Sequence, residues 1–156
     1  MKILKLLGLI ILCELMGAIG SIFTVPNIAG WYSFLNKPFF TPPSWLFAPA
    51  WTVLFALMGI ALYFVLENGL EKKETRIAAG IFAFQFLLNI FWSALFFGLK
   101  NPLLGFIEII ALWLAILAAI ISFHRVSKKA AWLLLPYICW ASFAAALNFS
   151  VWMLNA

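Results

Sequence analysis

The chain has 156 residues, of which 67% are hydrophobic and only 10% are charged, and its mean hydropathy is +1.12. Soluble domains are about half apolar and about a quarter charged, and a soluble surface of this composition would aggregate. The net charge of +5 does not indicate nucleic-acid binding, because the basic residues lie in short connections rather than on one face. Composition therefore favours an integral membrane protein without a nucleic-acid partner, and the length allows one domain.

Five apolar stretches are each long enough to cross a bilayer, which takes about 20 helical residues. They predict an all-α membrane protein, a five-transmembrane-helix bundle that forms a single domain over residues 1–156. The predicted helices cover about residues 4–25, 45–66, 77–99, 103–123 and 131–154. The first stretch is longer than the apolar core of a signal peptide, so we interpret it as a retained helix. Ser44 is a candidate N-cap for the second helix, after Pro42 and Pro43.

Basic residues predict the orientation of the bundle. The N-terminus and the second and fourth connections share one side and carry eight of the ten basic residues, whereas the other side has only Lys37 and Lys100. The positive-inside rule therefore predicts a cytoplasmic N-terminus, with the first loop and the C-terminus outside. A short chain without a transit peptide favours a prokaryotic cell membrane.

Few side chains suit acid–base or metal chemistry. The only histidine, His124, lies at a predicted helix end with no second metal ligand nearby, so no metal site is expected. Glu14 and Glu108 fall inside predicted helices, where a carboxyl group is costly and is a candidate for function. For Glu14 we weigh a ligand or proton role against a neutral, hydrogen-bonded carboxyl. Glu108 is nearer its helix end, and for it we weigh a neutral or hydrogen-bonded carboxyl between helices against one that reaches the lipid headgroups.

Aromatic side chains are unusually frequent, with eight tryptophans and 17 phenylalanines. The deeper indoles, at Trp51, Trp92 and Trp140, need a partner for their N–H and should face the bundle interior or a ligand. Gln85, Asn89 and Trp92 share one face of the third helix. Such amides either hold helices together or line a pocket for a flat, mostly apolar ligand.

Motifs around these residues resemble one family. The first loop and second helix contain Trp31-Tyr32, Lys37-Pro38, Pro42-Pro43 and Pro49-x-Trp51. The third helix has Gln85-x-x-x-Asn89-x-x-Trp92, and the fifth has Pro136-Tyr137-x-x-Trp140 followed by Leu147-Asn148. Their order and spacing resemble the translocator protein family, also known as the tryptophan-rich sensory protein or peripheral-type benzodiazepine receptor family.

The resemblance implies a five-helix bundle, often a homodimer, with a ligand pocket near the first loop. Family ligands are tetrapyrroles such as protoporphyrin IX and haem, cholesterol in animals, and synthetic benzodiazepines and isoquinoline carboxamides. The expected partners of the protein are thus a tetrapyrrole or another apolar small molecule, and membrane lipid, and no cofactor is expected. With Trp92 added from the shared helix face, the expected ligand-binding residues are Trp31, Phe47, Ala48, Trp51, Phe55, Asn89, Trp92, Trp140, Ala144 and Leu147.

Three functions stay open at this point: a tetrapyrrole receptor or sensor, a porphyrin or lipid transporter, and a light-dependent porphyrin degrader. The resemblance assigns catalytic roles to Trp51 and Trp140 only if photo-oxidation occurs, and few titratable groups converge for ordinary catalysis. Lys37 is a candidate partner for porphyrin carboxylates at the pocket mouth. Residues 147–153 lack the Tyr and the basic residue of the animal cholesterol motif.

Dimerisation has its own candidate positions. Gly17 with Ser21, or Ala79 with Ala83, gives the spacing of small residues that allows two helices to approach closely.

Overall fold

A computed structural model describes all 156 residues and contains helices but no strands. Two short 3-10 helices, Trp31–Phe34 and Ser44–Leu46, lie in the first loop and at the start of the second crossing. The α-helices are α1 (Lys2–Ile28), α2 (Phe47–Leu66), α3 (Lys73–Ser93), α4 (Pro102–Val126), α5 (Lys128–Leu133) and α6 (Leu135–Asn155).

Five helical segments are long and apolar enough to span a membrane, which confirms the predicted fold class. The fifth crossing, Lys128–Asn155, is made by α5 and α6 together. A spanning helix satisfies its own backbone hydrogen bonds, so lipid tolerates it where a soluble loop would be excluded. The protein is therefore an integral membrane protein of the all-α class.

Three details of the crossings differ from what the sequence led us to expect. Ser44 makes no capping hydrogen bond; it begins the short 3-10 helix, and the extended residue before it is Pro43. The fifth crossing is broken at Leu134, because Pro136 in the first turn of α6 has no N–H to continue the ladder from α5. α1 also runs further than expected, through Pro26 to Ile28.

The third crossing ends in an unusual turn. After Ser93 the helix widens into a π-helix, Ala94–Gly98, in which the N–H of Leu99 donates to the carbonyl of Ala94 at 2.8 Å. Lys100 then takes a left-handed conformation, with φ of 53°. Asn101 caps α4 by accepting a hydrogen bond from the N–H of Leu104 at 3.0 Å. This compact connection keeps α3 and α4 side by side.

α1 is the most exposed helix of the bundle. Only Cys13 and Gly20 are buried on it, and its contacts are chiefly with α2 and α3. Gly59 allows the close approach of α2, since a Cβ at that position would lie 2.6 Å from the Cα of Ile10. An apolar helix that is poorly covered by protein is suited to contact with lipid.

Polar contacts join neighbouring segments of the chain at each end of the bundle. On the basic side, the ammonium group of Lys2 lies 3.7 Å from the carboxylate of Glu67. On the opposite side, the amide of Asn155 donates to the carbonyl of Asn36 at 2.8 Å and its oxygen accepts from the Asn36 N–H at 3.0 Å. The first loop is thus fastened to the C-terminus. Which side faces the cytoplasm stays a prediction from the charges.

A candidate ligand-binding cavity

A cavity of about 330 Å³ lies inside the half of the bundle nearest the first loop. This volume is at the lower end of the range for small-molecule sites, about 300–1,000 Å³. The wall comes from α1, the first loop, α2, the end of the third crossing and α6, whereas α4 supplies none of it. Its larger side chains are Glu14, Tyr32, Phe47, Trp51, Phe55, Asn89, Trp92, Phe96, Phe97, Trp140, Leu147 and Asn148.

Nine of the ten expected ligand-binding residues lie on this wall. They come from three helices, and the fold brings them together: Phe47, Ala48, Trp51, Phe55, Asn89, Trp92, Trp140, Ala144 and Leu147. Trp31 is the exception. Its ring packs edge-on against Phe96 and Phe97, with centroid distances of 5.6 and 6.4 Å, so it supports the wall from behind. The contact of these side chains with a ligand stays a prediction.

The two indoles assigned to photochemistry form adjacent parts of the wall. The ring centroids of Trp51 on α2 and Trp140 on α6 are 6.3 Å apart, and the ring planes are at 81°. Trp51 also stacks on Phe55 at 5.4 Å, and Phe55 stacks in turn on buried Phe86 at 5.6 Å. This ring stack holds the Trp51 indole in place. Trp51 and Trp140 together offer a flat ligand two perpendicular aromatic surfaces.

The π-helical turn brings two further rings to the cavity. Phe96 and Phe97 are adjacent in sequence, yet both line the wall, with ring centroids 4.9 Å apart. Phe96 stacks on Trp92 at 5.3 Å. The sequence offered only the Phe-Phe pair as a signal. The change in helical register that lets both rings contribute is visible only in the structure.

A chain of hydrogen bonds leads from the cavity wall into the bundle. The Asn89 amide donates to the Tyr137 hydroxyl at 2.9 Å, and that hydroxyl donates to the Gln85 side-chain oxygen at 2.8 Å. Tyr137 and Gln85 are each only 1% exposed. Gln85 therefore serves to hold helices together, while Asn89 both bonds to α6 and lines the cavity. Sequence reasoning did not identify Tyr137 as the residue that links them.

A second polar contact closes the wall near the first loop. The Trp92 indole N–H donates to the Asn148 side-chain oxygen at 3.0 Å, and the Asn148 amide donates to the carbonyl of Pro102 at 2.8 Å. The N–H of this deep indole is thereby satisfied without a ligand. Asn148 joins the third, fourth and fifth crossings at one point.

Lys37 is not a free cation at the cavity mouth, contrary to our expectation. Its ammonium group donates to the backbone carbonyls of Tyr32, Leu35 and Ser33, at 2.8, 2.9 and 3.2 Å. An ammonium has three N–H donors, so all of them are used to shape the first loop. Lys37 can still attract an anion by its charge. Burial raises the pKa of the Tyr32 phenol to about 12, which keeps that group neutral.

The small residues of α1 also have a role that the sequence did not suggest. Gly17 and Ser21, which are candidate dimer positions, also line the cavity. A Cβ at Gly17 would collide with the ring of Phe55 from the same chain. The small residues therefore make room for the aromatic wall. Both pairs, Gly17 with Ser21 and Ala79 with Ala83, stay predicted positions for a dimer contact.

The two intramembrane glutamates occupy different environments. Glu14 is partly exposed and lies on the cavity wall. Both carboxylate oxygens of Glu108 are buried inside the bundle without a hydrogen-bond partner, so of the alternatives weighed for it, contact with the headgroups is wrong. A buried carboxyl without a partner is unfavourable in its charged form.

These features define a five-span helical membrane protein with an internal, aromatic, largely uncharged cavity. The family model described as TspO/MBR matches residues 9–153. The chain therefore belongs to the TspO/MBR family, as its motifs suggested.

Relatives align along nearly the whole chain. The tryptophan-rich protein TspO of Archaeoglobus fulgidus is 49% identical over 156 residues, covering 100% of both chains. The protein of the same name from Chlorobaculum tepidum is 48% identical, over 99% of this chain and 98% of its own. The translocator protein of Bos taurus is 35% identical, over 95% of this chain and 88% of its own.

Proposed function

We propose that the protein is a membrane receptor or sensor that binds tetrapyrroles, such as protoporphyrin IX and haem, and related flat apolar ligands in the aromatic cavity. The observation that carries the proposal is the pair of indoles at Trp51 and Trp140, perpendicular and adjacent on the wall. A planar ring can stack on one indole while its edge meets the other, and both arrangements are favourable for aromatic groups.

The distribution of charge supports one orientation of such a ligand. Apart from Glu14 at the deep end, the cavity wall contains no acidic or basic side chain. The wall therefore has no cation that could neutralise a ligand carboxylate inside the cavity. The loop cation Lys37 donates to the backbone carbonyl of Tyr32, which lines the cavity at the first loop. A tetrapyrrole would therefore insert its apolar edge and leave its carboxylates at the first loop, where water can solvate them.

The test is a titration of the purified protein in lipid nanodiscs with protoporphyrin IX in the dark, following the quenching of tryptophan fluorescence. The variant Trp51→Phe/Trp140→Phe removes both cavity indoles. Trp45→Phe/Trp132→Phe is a matched control, because these two indoles are 71% and 68% exposed on the outside of the bundle. The proposal expects saturable binding that weakens about tenfold or more in the first variant and not in the second.

Equal binding by all three proteins, or a linear signal without saturation, would contradict the proposal. Such a result would mean that the porphyrin only partitions into lipid.

A second candidate function is light-dependent oxidation of a bound porphyrin by dissolved oxygen. The close placement of two oxidisable indoles on the wall favours it. Illumination of the same porphyrin complex, with and without oxygen, separates this activity from simple binding. Loss of the porphyrin absorption band only in light, and more slowly in Trp51→Phe/Trp140→Phe, would support it.

Transport is the third function that the sequence left open, and the bovine relative carries the name translocator protein. The position of the cavity argues against it. On α1 the wall begins at Glu14 and ends at Ile28, and on α2 it ends at Phe55, so it covers only the half of the bundle near the first loop. Transport requires access to the ligand from both sides. Porphyrin flux across proteoliposomes would test this alternative.

A further inference from the structure

Glu14 is the one acidic or basic side chain on the cavity wall. It forms no ion pair, because the only salt bridge in the chain joins Lys2 to Glu67. Its carboxyl group also makes no hydrogen bond within the chain, and unlike that of Glu108 it is not sealed off by protein. The cavity therefore contains an unpaired carboxyl group that a ligand could meet.

The carboxyl lies at the deep end of the cavity. Among the α1 residues on the wall, Glu14 is the farthest from the first loop and Ile28 is the nearest. The two are separated by about 21 Å along the helix axis, at about 1.5 Å per residue. Gly17 follows Glu14 by one turn and rests on the Phe55 ring, which stacks with Trp51. The aromatic wall thus leads towards the carboxyl group.

An unpaired carboxylate inside a membrane is energetically costly, and a partner of opposite charge offsets part of that cost. Since no basic side chain of the protein lines the cavity, only a ligand or an ion from solution can supply this partner. A flat ligand that packs on the Trp51 indole and carries an ammonium group at one edge would do so. A ligand with an anionic edge at this depth would be repelled.

We propose that Glu14 makes the cavity selective for flat aromatic ligands that carry a protonated amine, with the amine placed against its carboxylate. The inference rests on the proposed function only in that the cavity must bind flat aromatic molecules. It adds a chemical class that the aromatic wall alone does not define, namely aromatic amines. It also assigns Glu14 as the residue that excludes carboxylates from the deep end.

A pair of probes that differ in one group tests this selectivity. 9-(Aminomethyl)anthracene and 9-(hydroxymethyl)anthracene have the same ring system, but only the first is cationic at neutral pH. Energy transfer from the cavity indoles to the anthracene ring reports binding in zwitterionic nanodiscs, with empty nanodiscs as the blank. The proteins are the wild type, Glu14→Gln, and Glu108→Gln as a matched control that alters a glutamate outside the cavity wall.

In the wild type the amine is expected to bind about tenfold more tightly than the alcohol, a difference of about 1.4 kcal/mol. In Glu14→Gln the two affinities should become equal while the alcohol binds as before, and Glu108→Gln should keep the wild-type ratio. Equal binding of both probes to the wild type would overturn the inference and leave the proposed cavity intact. If Glu14→Gln kept the wild-type ratio of amine to alcohol affinity, the inference would also be overturned.

Failure of the proposed function would look different. If neither probe bound saturably, and protoporphyrin IX also failed to saturate in its own titration, the cavity itself would not be a ligand site. The inference would then fall together with the proposed function.

Discussion

Replacement of Tyr137 by Phe would remove the hydroxyl group that links the cavity wall to the bundle interior. That hydroxyl accepts a hydrogen bond from the Asn89 amide at 2.9 Å and donates one to the Gln85 oxygen at 2.8 Å. The ring itself is 1% exposed and belongs to the main hydrophobic core. Because Phe keeps the ring, the substitution tests the two hydrogen bonds rather than packing.

The magnitude follows from the number of bonds lost. Hydrogen bonds between membrane helices contribute about 0.6 kcal/mol each on average and up to about 1.7 kcal/mol. The Gln85 oxygen would also be left buried without a partner, next to an amide nitrogen that already has none. We therefore expect Tyr137→Phe to lower the free energy of unfolding by about 1–3 kcal/mol.

Unfolding by sodium dodecyl sulfate from mixed micelles, followed by tryptophan fluorescence, measures this free energy. Tyr63→Phe is a matched control, since the Tyr63 hydroxyl makes one hydrogen bond, at 2.7 Å, to the exposed Glu67. Water can solvate Glu67 after the substitution, so the control should lose less than about 0.5 kcal/mol. Ligand affinity should fall only in Tyr137→Phe, where Asn89 is no longer held in place.

Equal destabilisation by the two substitutions would refute this reasoning. It would mean that the polar groups of the membrane-embedded unfolded state find equally good partners, so that the buried network adds no net stability.

Three further predictions concern packing, polarity and topology. Gly59→Ala should destabilise the bundle by about 1–3 kcal/mol, because the new methyl group would collide with the α1 backbone. Gly80→Ala, with open space around it, should be neutral or stabilising in the same unfolding assay. Glu108→Met should raise the free energy of unfolding by about 1–3 kcal/mol, since it removes a buried carboxyl without partners; a decrease would show that the carboxyl has an undetected partner. Single cysteines can be introduced into a variant that lacks Cys13 and Cys139 and is expressed in whole cells. A membrane-impermeant maleimide should then label Phe39→Cys and not Glu71→Cys, and the reverse result would invert the predicted topology.

The aromatic motifs in the sequence pointed to most of the large side chains that line the cavity. Trp51, Trp92 and Trp140 share a wall with Asn89, as the motif spacing suggested. Apart from Glu14, the α1 residues on the wall were missed, because their small or aliphatic side chains have no chemical signature of their own. Gly17 was considered only as a dimer position, and the structure shows that it also makes room for the ring of Phe55.

The sequence by itself determined the class of protein, the five crossings and the family. These are local properties: hydropathy over about 20 residues decides whether a segment enters lipid, and each helix then satisfies its own backbone. No knowledge of neighbouring helices is needed for either step.

Only the tertiary structure decided which side chains face the cavity. A helix that is apolar on all sides carries little periodic signal for its inward face. The first loop lacks a regular repeat as well, so its sequence did not show that Trp31 lies behind the wall or that Lys37 is bound to loop carbonyls. Two intramembrane carboxyl groups, Glu14 and Glu108, look alike in sequence. Helix rotation and packing place one on the cavity wall and bury the other.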